Sequence, residues 1–245
     1  MMNSENTTMP SDTSEDANPS LYIHEEILLL SLRDREGTTI CGPAYTHAMG
    51  GAILAELLFA ERIAIEGKGS RSVVQVHDAR PIGDIVLDTC LVRIHQSAKQ
   101  RSPQHWVSSF ANVGDLKHRT AEALCRLGIL KAEIDKVLFV FSRKVYPEIN
   151  PLPEQSLLIR LHDAIFSEEE PIDTRTTVLL ALAHHAGLLS APFGRKELKE
   201  RKKRIENIIE GNLMGEATKQ AIQAMQAAVM VAVMMPVIIS ATVAS

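Results

Sequence analysis

Residues 21–37 read LYIHEEILLLSLRDREG, and the passage from charge to unbroken apolarity and back decides the fold. His24, Glu25 and Glu26 put two acids at the first turn of a predicted helix, where the positive end of the dipole favours negative charge. Ile27 to Leu30 with Leu32 is apolar on nearly every side, so this helix is expected to be buried. Arg33 to Glu36 return the chain to water, and Gly37 can take the positive φ that ends a helix.

The rest of the chain is read around that buried helix. At 245 residues with 45% hydrophobic content, it can form a real core in one large or two small domains. Glu5, Asp12, Glu15 and Asp16 precede every Lys and Arg, and beyond them the chain carries 26 acids and 26 bases. A formally neutral body disfavours non-specific nucleic-acid binding, which needs a basic excess. Cys41, Cys90 and Cys125 match no disulfide framework and no zinc spacing, so reduced thiols in a cytosolic compartment are expected. Residues 1–20 lack the basic and apolar regions of a signal peptide and are too polar to pack, so they read as a disordered tail.

After TTICGP at residues 38–43, a small-residue helix is expected from about Tyr45 through AMGGAILAELLFAER. Gly50 and Gly51 inside it each cost roughly 1 kcal/mol relative to alanine, which points to close approach of another backbone or of a ligand. Ile63 to Ile65 and Val73 to Val76 alternate around Gly67-Lys68-Gly69-Ser70 as a two-stranded ribbon. Helix, turn, helix and ribbon form a winged-helix-like order. It recurs without sequence repetition: a helix opened by Pro81-Ile82-Gly83-Asp84, a polar link SAKQRSPQ, a helix over about Leu116 to Leu127 capped by Gly128, and a hairpin over Ile134 to Tyr146.

From Pro151 the pattern is helical: SLLIRLHDAIF, TTVLLALAHHAGLL and RKELKERKKRIENIIE. In the last of these, Glu197 with Arg201 and Glu200 with Arg204 are spaced for i,i+4 pairs. Beyond Lys219 no charged side chain occurs, and Ala227 to Met235 is wholly apolar. Pro236, Ser240 and Thr242 interrupt this tail, so it reads as a core helix, with a membrane span as the competing reading.

Few constellations carry chemistry. His184-His185 has no further ligands at metal spacing, no Gly-x-Ser-x-Gly elbow or papain-like cysteine context occurs, and no phosphate loop surrounds the glycines. The expectation is therefore a chain with no enzymatic activity, no cofactor and no metal. Lys117-His118-Arg119 is the suggestive cluster, because cations near a helix start add to amides that already favour a phosphate; a solvated face is the bland alternative.

LYIHEEILLLSLRDREG resembles the opening signature of the Golgi phosphoprotein 3 family. GGAILAELLFAERI, PIGDIVLD, LGIL before KVLFVFSRKVYP, and LALAHHAGLL follow in the family's order, from about Leu21 to Met235. The resemblance implies a mainly α fold: a single largely helical domain over residues 21–236, with short β-ribbons and a protruding β-hairpin used in self-association. It also implies peripheral binding to an anionic phospholipid surface through phosphatidylinositol 4-phosphate, on the Golgi face in a eukaryote, with residues 237–245 as a C-terminal tail.

In the eukaryotic members a tryptophan and three arginines form the head-group pocket. Here the tryptophan's turn holds Cys41-Gly42, the helix arginine falls on Gly50, and the later pair falls on Gly114 and Lys117, with Arg119 matching the basic residue just beyond. Lys117 and Arg119 are thus the expected head-group contacts. The eukaryotic members also act as adaptors that use a basic N-terminal tail, whereas residues 1–20 here contain no Lys or Arg. In the hairpin, Val137, Phe139 and Phe141 alternate with Leu138 and Val140, so both faces are apolar; Leu138 and Val140 are expected at a homo-oligomer contact. The reading from another class is a winged-helix nucleic-acid binder using the helix near Tyr45 to Ala60, although His47 is the only basic-capable residue there before Arg62.

Overall fold

The computed structural model describes residues 19–33, 38–39, 43–67, 71–137, 141–168 and 171–210. At its centre, α1 (Ile23–Ser31) is buried at every position, including His24, Glu25 and Glu26. Its start is stabilised by Glu25, whose carboxylate accepts the Tyr22 amide at 2.9 Å. The helix ends earlier than its charged flank suggested: Leu32 is extended, and β1 (Leu32–Arg33) pairs antiparallel with β2 (Thr38–Thr39).

α2 (Pro43–Phe59) packs on α1 and is mostly apolar, with residues 48–57 all buried, Glu56 among them. A helix sealed in this way cannot enter a nucleic-acid groove, so the winged-helix reading finds no support. β3 (Ile63–Glu66) and β4 (Val73–Val76) form the expected antiparallel ribbon, Ile63 opposite Val76. α3 (Ile85–His95) starts where Asp84 predicted it, and the Asp84 carboxylate accepts the amides of Val86 and Leu87.

The polar link that follows hides a helix. α4 (Pro103–Ala111) has Ser102 as its cap and Pro103 at its first turn, and it turns Trp106, Val107 and Phe110 into the core. The second half therefore does not repeat the order of the first. α5 (Leu116–Arg126) ends at Gly128, whose φ of 71° closes the turn. β5 (Glu133–Val137) and β6 (Phe141–Val145) then form the hairpin, with Glu133 opposite Val145. On its described part Ile134 is 72% exposed, and Arg143 pairs with Asp135 across the strands at 2.7 Å. The expected contacts Leu138 and Val140 lie outside the described residues.

α6 (Leu152–Phe166) and α7 (Thr174–His185) complete the packing around α1. α7 opens on an Asp173 cap and is buried from Thr176 to Ala183. After the short α8 (Ser190–Phe193), the charged stretch forms two helices, α9 (Arg195–Glu200) and α10 (Lys202–Ile209), broken at Arg201. Arg201 lies over the Phe166 ring and Arg204 donates to the Ala164 carbonyl, so these bases pack on α6. The fold is mainly α, with ten helices and three two-stranded antiparallel pairs among the described residues. Among them no helix is long and apolar enough to cross a membrane, and the apolar segment beyond Lys219 lies outside them.

Candidate functional site

The turn between α4 and α5 leaves the start of α5 open. Asp115 adopts a left-handed conformation, φ 59°, and makes no side-chain cap. Leu116 donates weakly to Val113 at 3.4 Å and Arg119 donates to the Asp115 carbonyl at 2.8 Å; the amides of Lys117 and His118 have no partner among the described residues. A cavity of about 230 Å³ faces this turn, walled by Tyr45, Thr46 and Met49 of α2, by Ala111, Val113 and Asp115 at the end of α4 and in the turn, and by Leu116, Lys117 and His118 of α5. Free amides, a helix dipole and the Lys117 ammonium favour an anion at this wall, and the Asp115 carboxylate, the one acid lining it, works against them.

The two expected contacts part company here. Lys117 lines the cavity, whereas Arg119 reaches the other way, its Nη1 3.3 Å from the Thr89 hydroxyl on α3. His118, the middle residue of the triplet, lines the cavity with Lys117, and its Nδ1 is 2.9 Å from the Tyr146 hydroxyl at the hairpin base. Nothing in the local sequence singled out His118, because Tyr146 lies 28 residues further along the chain.

Gly50 has a structural explanation. A Cβ built on it would lie under 3 Å from the Val107 carbonyl oxygen and 3.2 Å from the Ala111 amide nitrogen, so α2 and α4 touch backbone to backbone. Between another backbone and a ligand, the former is what approaches. Gly114 differs, because a Cβ there meets nothing within 4 Å. Cys41 and Gly42 lie outside the described residues.

A second group of ionisable side chains surrounds α1. Glu56 on α2 accepts the Ile23 amide at 2.5 Å and pairs with Arg175 of α7, whose guanidinium also donates to the Leu21 carbonyl at 2.8 Å. Glu26 pairs with Arg160 of α6 at 2.6 Å. Burial pushes both carboxyls up, and the adjacent arginines pull them back. Glu25 has no such partner, and burial pushes it up to about 7. His24 is sealed from solvent, and neither ring nitrogen is hydrogen-bonded. Burial lowers its pKa to about 4, although Asp84 stands 3.6 Å away.

This cluster anchors α1 to α2, α6 and α7, and two of its acids, Glu26 and Glu56, pair with arginines. Among the described residues no three His, Cys, Asp or Glu side chains converge as metal ligands. Cys90 is buried, and its thiol is pushed up to about 12, so it stays protonated. His184 is half-buried with its pKa lowered by burial, while His185 is exposed and hydrogen-bonds the Ala181 carbonyl.

The family profile described as Golgi phosphoprotein 3 matches residues 23–225. The chain belongs to the Golgi phosphoprotein 3 family. It is also 23% identical over 224 residues to the vacuolar protein sorting-associated protein 74 of Schizosaccharomyces pombe. That match covers 78% of this chain and 66% of the relative, just under two thirds of the relative's length. Within this Golgi phosphoprotein 3 chain, Gly50 stands at the α2–α4 contact and Lys117 lies at the cavity.

Proposed function

We propose that the chain is a non-enzymatic peripheral membrane protein that docks on the phosphorylated head group of an anionic phospholipid, phosphatidylinositol 4-phosphate or a close relative. The observation that carries this reading is the cavity at the start of α5, lined by Lys117 and His118, whose amides have no partner among the described residues. Family membership supports the same reading. The protein then works at a cytoplasmic membrane surface, on the Golgi in a eukaryotic cell. It self-associates through the β5–β6 hairpin, which would let several weak head-group sites act together. Arg119, bonded to Thr89, adds positive potential from outside the cavity.

The test is flotation with phosphatidylcholine vesicles, plain or doped with phosphatidylinositol 4-phosphate. Binding is expected only with the anionic lipid. It should weaken as salt rises, since surface charge is screened over about 8 Å at physiological ionic strength. Lys117→Ala should cost about fivefold in affinity, the share of one basic residue at such a surface. Equal flotation on plain phosphatidylcholine would refute the proposal.

A further inference from the structure

The His118–Tyr146 pair belongs to no function assigned so far, and it joins the cavity wall to the base of the hairpin. His118 Nδ1 and the Tyr146 hydroxyl are 2.9 Å apart, with the ring centroids at 5.7 Å. Tyr146 is completely buried, immediately after β6, while His118 is half-buried and lines the cavity beside Lys117. We infer that His118 is a phosphate contact of the cavity and that Tyr146 is its positioning residue, donating its phenol proton to Nδ1 so that Nε2 carries the N–H offered to the ligand.

Three observations carry this inference, which rests on the head-group reading above. First, the Tyr146 hydroxyl is 2.9 Å from Nδ1, and burial pushes its phenol up, so it holds a proton that it can donate to that nitrogen. An imidazole nitrogen that accepts a hydrogen bond holds no proton, and the ring proton then sits on the other nitrogen. Second, Nε2 lies on the opposite side of the ring from Tyr146 and is not among the buried polar atoms that lack a partner. Third, the cavity wall offers few nitrogen donors. Position 50 has no room for a side chain and Arg119 is turned to Thr89, which leaves Lys117 and His118 as the nitrogen-bearing side chains of the described cavity wall.

The ligand class follows from the donors. An ammonium, an imidazole N–H and two free backbone amides are donors that a phosphate oxygen can meet. The greater negative charge and third terminal oxygen of a phosphomonoester gain more from them than a phosphodiester does. A lipid head group and a soluble inositol phosphate share that chemistry. Vesicles doped with phosphatidylinositol 4-phosphate, vesicles doped with unphosphorylated phosphatidylinositol, and competition by soluble inositol 1,4-bisphosphate separate the two sources.

The experiment is a double-mutant cycle on the full chain, read by vesicle titration. His118→Ala should weaken binding to the phosphatidylinositol 4-phosphate vesicles by about 3- to 10-fold, the net worth of one ordinary hydrogen bond. Tyr146→Phe should weaken it by about 2- to 5-fold and should add nothing in the His118→Ala background. Nitrogen-15 NMR of His118, taken where the ring is neutral, should show the Nε2–H tautomer in the parent chain and a mixture in Tyr146→Phe. Additive effects of the two substitutions, or an Nδ1–H tautomer in the parent, would overturn the inference; the tautomer needs no variant that folds. Dependence on Lys117 without dependence on His118 overturns this inference alone. Indifference to the phosphomonoester, in parent and variants alike, overturns the head-group reading with it.

Discussion

Replacing Arg175 with methionine tests how the buried cluster holds α1 in place. Met keeps most of the stem's volume and removes the guanidinium, which bonds Glu56 through both terminal nitrogens and also bonds the Leu21 carbonyl. Glu56, almost fully buried, is left with the Ile23 amide as its recorded donor. Breaking a buried ion pair from one side costs about 3–5 kcal/mol because the abandoned charge stays in a poor solvent. The Arg175 side chain is 30% exposed, so water screens part of that cost and the low end, about 3 kcal/mol, is expected. For a domain of this size that corresponds to a fall in Tm of about 6–12 °C. The loss should shrink as pH falls, because protonating Glu56 removes the stranded charge. Arg175→Met together with Glu56→Leu should recover most of the stability. Thermal and denaturant unfolding of the three variants between pH 4.5 and 7.5 provide the assay. A single variant within about 1 kcal/mol of the parent, or a loss that grows as pH falls, would refute the reasoning.

Leu29→Asp places an unpaired carboxylate at a site 1% exposed and should cost several kcal/mol, seen as lost soluble yield or a collapsed melting transition. Gly50→Ala should destabilise by about 1–3 kcal/mol in urea titrations, while Gly114→Ala, with open space around it, should change little. Glu25 has a raised folded pKa, so its stabilising share is complete below about 4.5 and is lost as pH rises through about 7. His24 has a lowered one, so its share is complete above about 6.5 and is lost as pH falls through about 4. The two slopes oppose each other, and stability of Glu25→Gln should rise more steeply between pH 4 and 6.5 than that of the parent. Leu138→Ser with Val140→Ser should turn an oligomer into a folded monomer; light scattering that finds the parent already monomeric at micromolar concentration would count against the hairpin's role.

What the chain revealed in advance was what short-range physics fixes. The run Ile27 to Leu30 is too apolar for any surface, and α1 is buried. Asp84 before an apolar period marks a helix start wherever it occurs, and α3 begins there. Ser102-Pro103 carries a start signal of the same kind, yet it sits inside a polar stretch, and the helix it opens went unread. The side chains around α1 depend on distant partners. Glu26 meets Arg160 across 134 residues and Glu56 meets Arg175 across 119, and no local pattern encodes either meeting. Adjacency in Lys117-His118-Arg119 was equally uninformative about direction, because residues two apart on a helix point to different faces. One of the two expected contacts consequently lines the cavity and the other bonds α3.

Gly50 and Gly114 leave unequal room for added charge. At Gly114 a larger side chain has open space, so an arginine placed there would add a cation near the start of α5. At Gly50 the same step would drive a Cβ into the Val107 carbonyl, and α4 would first have to move off α2. One substitution at Gly114 can therefore enlarge the positive patch at the start of α5. At Gly50 the same gain is barred by a backbone contact that would have to be rebuilt first.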